Sequence, residues 1–445
     1  MQNPLFPDHL HYSSKLYIFK SATALGKLHS AIPWDELAAC LPQENRGPGA
    51  PRWFSAQGMF GLMFLKAYLN ISDAKLIERF NTDYAMQLFC GKLLQDNERI
   101  KGRSIVSRIR TYIGENADWQ QLQHVLLDHW KRDMSNTHVL LMDATCYESY
   151  IRFPTDVKLL WESCQWVFEK QLFNLCKLDG IRRPRSKYID QKRKQRSYDR
   201  QRRKTYKQGQ KRKKALLHLL QKGLGQLQEL LNNNPQIELN RHQRTYLKTI
   251  KTVLAQQTFL QTRSAKELKD RIVSLPKPYI RPIIRGKENK RIEFGMKVHM
   301  LQSDGISYFD QISFNAFNET TRLKTSVFKH KAIFKDCHQL GADNIYPTNK
   351  NRKFLTDKQI FTCFANKGPK KPTKSEAKLK SILATQRATT MEGAFGIHKT
   401  AYGLHKIKAK NKINEVVWVF FGVMTANAVI MAKRKANSPP LQQVA

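Results

Sequence analysis

The sequence predicts an α/β protein: a mixed sheet with flanking helices, interrupted by a long helical insertion and preceded by an all-helical region. Three observations carry this expectation. An apolar run, Val139-Leu140-Leu141-Met142, is long enough for a buried central strand and ends on Asp143. Far downstream, Ile292 to Gln302 and Ile306 to Phe314 follow a period of two around Ser303-Asp304-Gly305, a hairpin whose Asp-Gly pair supplies positive φ. Between these stretches the period is helical, so the strands on either side belong to one sheet and the helices between them are inserted.

Residues 1–135 read as helical. Pro51 to Asn70 is apolar nearly all round, as suits the central helix of a bundle, and Ser72 caps a short helix that carries Leu76, Ile77 and Phe80 on one face. Arg103, Arg108 and Arg110 lie beside Ile105, Val106 and Ile109 on a basic amphipathic helix, either a phosphate-facing surface or a solvated one. The insertion, 157–285, opens with a helix from Asp156 to about Leu178. It continues through a segment from Ile181 to Lys214 with seventeen Lys or Arg and two acidic residues, interleaved with Tyr188, Tyr198 and Tyr206. Arg202, Arg203 and Lys204 are its three successive cations. Stripes at Leu216, Leu220, Leu224, Leu227 and Leu231, and at Tyr246, Ile250, Val253 and Leu254, flank an Asn-Pro break and predict an antiparallel helix pair. Pro276, Pro278 and Pro282 close it as a stiff linker.

The sheet region, 136–156 and 286–435, resumes at Arg291. After the hairpin comes a basic, weakly periodic stretch to Asp336, then a short strand from His338 to Ala342 that ends on Asp343, and another near Ile360 to Ala365. Helices follow from about Ser375 to His398 and from Asn414 to Ala432, with a tail at 436–445. Val416 to Ile430 is apolar but shorter than the ~20 residues of a membrane span, so a buried helix is expected and no membrane.

Charge narrows the partner. With 77 Lys and Arg against 36 Asp and Glu, the formal net charge is +41, an excess that repels itself unless a polyanion neutralises it. Composition selects nucleic acid without choosing DNA or RNA. Seven cysteines with no Cys-x-x-Cys pair argue against structural zinc or a disulfide framework and for reduced thiols in a cytosol. The N-terminus shows no secretory signal pattern.

Three carboxylates occupy comparable places: Asp143 and Asp343 at strand ends, and Glu392 on a following helix. Singly, each is a cap or a turn residue. If the strands are neighbours and the helix crosses their sheet, the three converge, as phosphoryl transfer on nucleic acid requires when two magnesium ions about 3.5–4 Å apart are held by hard oxygen ligands.

These blocks resemble the bacterial insertion-sequence transposases of the DDE type, whose catalytic domain has the RNase H-like fold shared with retroviral integrases. Asp143-Ala144-Thr145 with Ile151 to Asp156 is similar to the first-carboxylate block, Gly341 to Tyr346 with Asn351-Arg352 to the second, and Glu392 to Gly396 with Lys399 and Tyr402-Gly403-Leu404 to the third. Leu65 to Leu69 and Phe89-Cys90-Gly91 resemble that group's N-terminal domain. The resemblance implies catalytic, metal-binding roles for Asp143, Asp343 and Glu392, two Mg2+ (or Mn2+) ions, and a DNA contact at Lys399. It also implies partners in double-stranded DNA, both the element's terminal inverted repeats and the target, a homodimer or higher multimer on DNA, and a place at the nucleoid in the bacterial cytoplasm. Some positions depart: the basic residue usual four before the glutamate is Ala388, with Arg387 one place off, and Asn344, Ala394 and Thr400 replace common basic residues. The competing readings are a catalytically inactive, transposase-derived DNA-binding protein and an RNA-binding protein.

Overall fold

The computed structural model describes residues 9–42, 52–95, 97–264, 267–284, 292–369 and 371–437; Arg291 and most of the 436–445 tail lie outside them. Two compact units result, Met1–Tyr150 with Met296–Ala445, and Ile151–Gly295.

The strands are β1 (Val139–Ser149), β2 (Pro282–Ile284), β3 (Ile292–Ser303), β4 (Ile306–Ser313), β5 (Gln339–Gly341), β6 (Phe361–Thr362) and β7 (Lys406–Ile407). In the first unit the six strands other than β2 form a mixed sheet in the order β4-β3-β1-β5-β6, with β7 added along the far end of β1. The β3–β4 pairing is antiparallel, while β5 and β7 run parallel to β1, and β6 parallel to β5. Asp304 (φ 49°) and Gly305 (φ 78°) are both left-handed, as a two-residue hairpin turn demands.

One expectation is corrected. β1 does not end at Asp143 but continues to Ser149, because Ala144, Thr145, Cys146 and Tyr147 are all buried and β7 pairs with Glu148 and Ser149. The apolar run from 139 to 142 is only the first third of the central strand, and Asp143 sits within it.

The N-terminal helices and the last helix share a core. Ser55 caps the Ala56–Leu69 helix by accepting from Gly58 N, and the rings of Phe60 and Phe64 meet Phe421 on the Lys412–Asn437 helix. That last helix is long and apolar enough to cross a membrane, yet 78% of its most apolar window is buried within the protein. A helix at Leu323–Phe334 occupies the basic stretch that showed only weak periodicity. Leu323, Val327, His330 and Phe334 form its inner stripe, diluted in sequence by Lys324, Lys329 and Lys331.

In the second unit the Asp156–Gln165 helix runs through a π-helical stretch at Trp166–Leu172 to Leu178, and three further helices follow at Tyr188–Arg200, Tyr206–Asn233 and Arg241–Thr262. Leu160, Phe168, Leu216, Leu220, Leu227, Ile250 and Val253 form their common core. The dense charge run is thus helical, and part of it is internal. Arg212 is buried against Gln195 and Gln191, and Lys213 pairs with Asp156 at 3.2 Å. Pro282 opens β2, which pairs antiparallel with Ile292 to Phe294, since a strand tolerates proline at its first position.

Candidate functional site

The sheet brings two of the carboxylates together by register. Val139, Leu140 and Leu141 of β1 face Gln339, Leu340 and Gly341 of β5 in parallel, and two residues further along each chain stand Asp143 and Asp343. Each accepts a hydrogen bond from the next backbone N–H, Ala144 N and Asn344 N, both at 2.7 Å. Gly341 permits close packing of the helix above: a Cβ there would lie 2.7 Å from Leu141 Cδ2 and 3.2 Å from the Leu383 carbonyl oxygen.

That helix carries the third carboxylate. It runs as an α-helix over Lys374–Gln386, as a π-helix over Arg387–Met391, and as an α-helix again over Glu392–Thr400. Residues five apart lie on different faces of an α-helix but on one face of a π-turn, whose bonds span i to i+5. The π-turn therefore restores Arg387, one place out of the usual spacing, to the face of Glu392. Inward, Met391 and Phe395 are buried, and His398 Nδ1 lies 3.0 Å from the buried Tyr147 hydroxyl of β1. Burial holds His398 far below its ordinary pKa, at about 3, so the pair is a neutral peg that fixes the helix to the strand.

All three carboxylates meet one guanidinium. Arg387 Nη1 is 3.1 Å from Asp143 Oδ2 and 3.0 Å from Glu392 Oε1, and Nη2 is 3.9 Å from Asp343 Oδ1. Asp143 is the most enclosed, with its side chain 17% exposed against 46% for Asp343 and 52% for Glu392. Burial pushes its carboxyl up to about 6, against the opposing pull of the Ala144 N–H and Arg387; Glu319 and Asp343 add to the rise. Among the described residues, no three acidic, histidine or cysteine side chains are grouped closely enough to hold a metal ion as they stand. The donor set nevertheless fits a hard divalent cation: it is entirely carboxylate oxygen, and it already surrounds a positive charge.

A buried network supports the loop that follows β5. His299 on β3 joins Asp310 on β4 (Nδ1 to Oδ2, 3.0 Å) to the Tyr346 hydroxyl (Nε2, 2.8 Å), while Arg322 donates to both oxygens of Asp310 at 2.9 and 3.0 Å. Burial alone would raise Asp310, but the bonds from His299 and Arg322 hold it at about 2. Asn351 donates to the carbonyls of Tyr346 (2.8 Å) and Thr320 (2.9 Å), closing the loop behind Asp343. Glu319, paired with Lys297 at 2.7 Å, is a further carboxylate near Asp143. No sequence pattern marked it, because it opens a single 3-10 turn, Glu319–Arg322, too short to show a period.

The basic candidates separate by environment. Lys399 is half-buried, two turns beyond Glu392 on the same helix. Arg202 and Arg203 are exposed, whereas Lys204 folds back to donate to the Gln201 carbonyl (2.8 Å) at the end of the preceding helix. Arg103 and Arg108 are exposed. Arg110 is buried, joined to Asp73 at 3.1 Å and stacked 4.7 Å from the Trp418 ring, so its charge is satisfied inside the protein. Arg108 also lines a cavity of about 690 Å³ together with Lys408 and Lys410.

Residues 15–112, which hold these N-terminal helices but none of the three carboxylates, match the family model described as a transposase domain (DUF772). This supports a transposase family for the chain. No curated protein and no solved structure matches it.

Proposed function

We propose that the chain is a transposase of the DDE type with an RNase H-like catalytic unit, which cleaves DNA at the ends of an insertion sequence and joins them to target DNA. The observation that supports this most is the meeting of Asp143, Asp343 and Glu392, remote in sequence, around a single positive charge. The order β4-β3-β1-β5-β6 supports the fold, with one carboxylate on the central strand, one just beyond its parallel neighbour and one on the helix that follows β6. The net charge of +41 and the transposase-domain match support DNA as the substrate.

In cleavage, a water oxygen bonds to phosphorus as the bond from phosphorus to the 3′-oxygen breaks; the water gives up a proton and the leaving oxygen gains one. In joining, the freed 3′-oxygen bonds to a target phosphorus, its proton is lost, and the target's own 3′-oxygen departs and is protonated. Neither step needs a covalent bond to the protein, whose share is positioning and charge neutralisation. Asp143, Asp343 and Glu392 would hold the divalent ions, two Mg2+ or Mn2+, which when bound activate the attacking oxygen and stabilise the leaving one. The Tyr147–His398 peg and the His299–Asp310–Tyr346 network keep the carboxylates' supports fixed. Lys399, Arg202, Arg203, Arg103 and Arg108 would contact the phosphate backbone, and cleaving two ends calls for a dimer or higher multimer on DNA.

The test is strand cleavage of duplex DNA carrying the ends that flank the gene. Magnesium-dependent nicking that Asp143→Asn abolishes, with DNA binding retained, is expected; nicking unchanged in Asp143→Asn would overturn the assignment.

A further inference from the structure

Asp143, Asp343 and Glu392 all share Arg387. The guanidinium is neither a distant neighbour nor a fully buried strut. Its Nη1 serves Asp143 and Glu392 at once, its Nη2 reaches Asp343 only at 3.9 Å, and its side chain is 19% exposed. The nearby Lys297 is occupied by Glu319 and by the Phe317 carbonyl. Among the described residues, Arg387 is the one basic side chain paired with the three acids, and the π-turn of Arg387–Met391 puts it there.

We infer that Arg387 is the resident counter-ion of the carboxylates, and that its exchange onto a DNA phosphate couples metal binding to DNA binding. This rests on the transposase reading above. A guanidinium and a divalent cation repel each other and compete for the same oxygens, so the carboxylates accept the cation at full strength only when Arg387 has turned away. A guanidinium that leaves two carboxylates needs another oxyanion fork, and a phosphodiester offers one with matching bidentate geometry. DNA therefore tightens metal binding, and by linkage the metal tightens DNA binding by the same factor. The site stays guarded against stray cation while no DNA is present.

The experiment titrates Mn2+ into the full-length protein by calorimetry, with and without a short mixed-sequence DNA duplex, for wild type, Arg387→Gln, Arg387→Lys and Asp143→Asn. In wild type, the duplex should tighten Mn2+ binding roughly tenfold, within the usual range of coupling between two sites. Arg387→Gln should bind Mn2+ about that much more tightly than wild type without DNA, and should lose most of the further gain on adding DNA. Arg387→Lys, which keeps the charge and loses the fork, should fall between the two. Mn2+ binding in Arg387→Gln no tighter than in wild type, or a DNA-dependent gain left intact there, would overturn the counter-ion role while leaving the metal site standing. Wild-type binding that equals that of Asp143→Asn, with DNA present, would instead remove the metal site itself and the inference with it.

Discussion

Substituting Gly341 with alanine probes how closely the Glu392 helix must approach the sheet. The added Cβ would meet Leu141 Cδ2 at 2.7 Å and the Leu383 carbonyl oxygen at 3.2 Å. The leucine side chain can turn aside, but the carbonyl is backbone, so the helix must retreat by a few tenths of an ångström and take Arg387 and Glu392 with it. Overpacking of this size costs about 1–3 kcal/mol, and a loss of about 2 kcal/mol lowers the melting temperature by roughly 3 °C in a unit of about 300 residues. Misplacing catalytic groups by about 1 Å can cost about a hundredfold, so a few tenths should slow nicking by roughly three- to tenfold. The internal control is Gly393→Ala on the same helix, where a Cβ meets nothing within 4 Å and where removing a helical glycine should stabilise by about 0.5–1 kcal/mol. The assays are thermal unfolding and the nicking rate. If Gly341→Ala melted and cleaved like wild type, the close approach of helix to strand would not be what positions Glu392.

Two further outcomes are expected. Asp310 is held at about 2, below its ordinary 3.8, so the stability this gives is fully present above about 3.8 and is lost as pH falls through about 2. Its size is about 2 kcal/mol. Asp310→Asn should cost about 3 kcal/mol near neutrality, because Arg322 and His299 lose their carboxylate partner. Urea unfolding against pH should show that gap narrowing in acid, and a gap that does not change with pH would refute the pairing. Reversing Arg202 and Arg203 to glutamate should make DNA binding less steeply dependent on salt by about two phosphate contacts, read by fluorescence anisotropy across a salt series; an unaltered slope would show that this exposed turn does not touch the backbone.

The sequence carried the strand hairpin, the two helices at Tyr206–Asn233 and Arg241–Thr262 and the buried last helix, since each rests on a period of two or of 3.6 that burial enforces. It misjudged where β1 ends because an ionisable residue within a strand looks like an exit; Asp143 is tolerated there only because an N–H and a guanidinium meet it. It missed the Leu323–Phe334 helix because lysines dilute the apolar stripe. The standing of Arg387 could not be read from spacing either. Counted in α-helical turns the residue is out of register with Glu392, and only the π-turn brings it back. Nor does charge pattern separate internal cations from exposed ones. Arg110, Arg212 and Lys213 read like their neighbours and are buried in ion pairs or hydrogen bonds, while Arg202 and Arg203 remain outside.

The proposed function turns on Asp143, Asp343 and Glu392 binding divalent cation together. Crystals grown with Mn2+ and a DNA duplex, with anomalous scattering recorded at the manganese edge, test it directly. Anomalous peaks are expected within coordination distance of Asp143, Asp343 and Glu392, with the Arg387 guanidinium withdrawn from all three. Well-ordered carboxylates still gathered on Arg387, with no manganese among them, would contradict it.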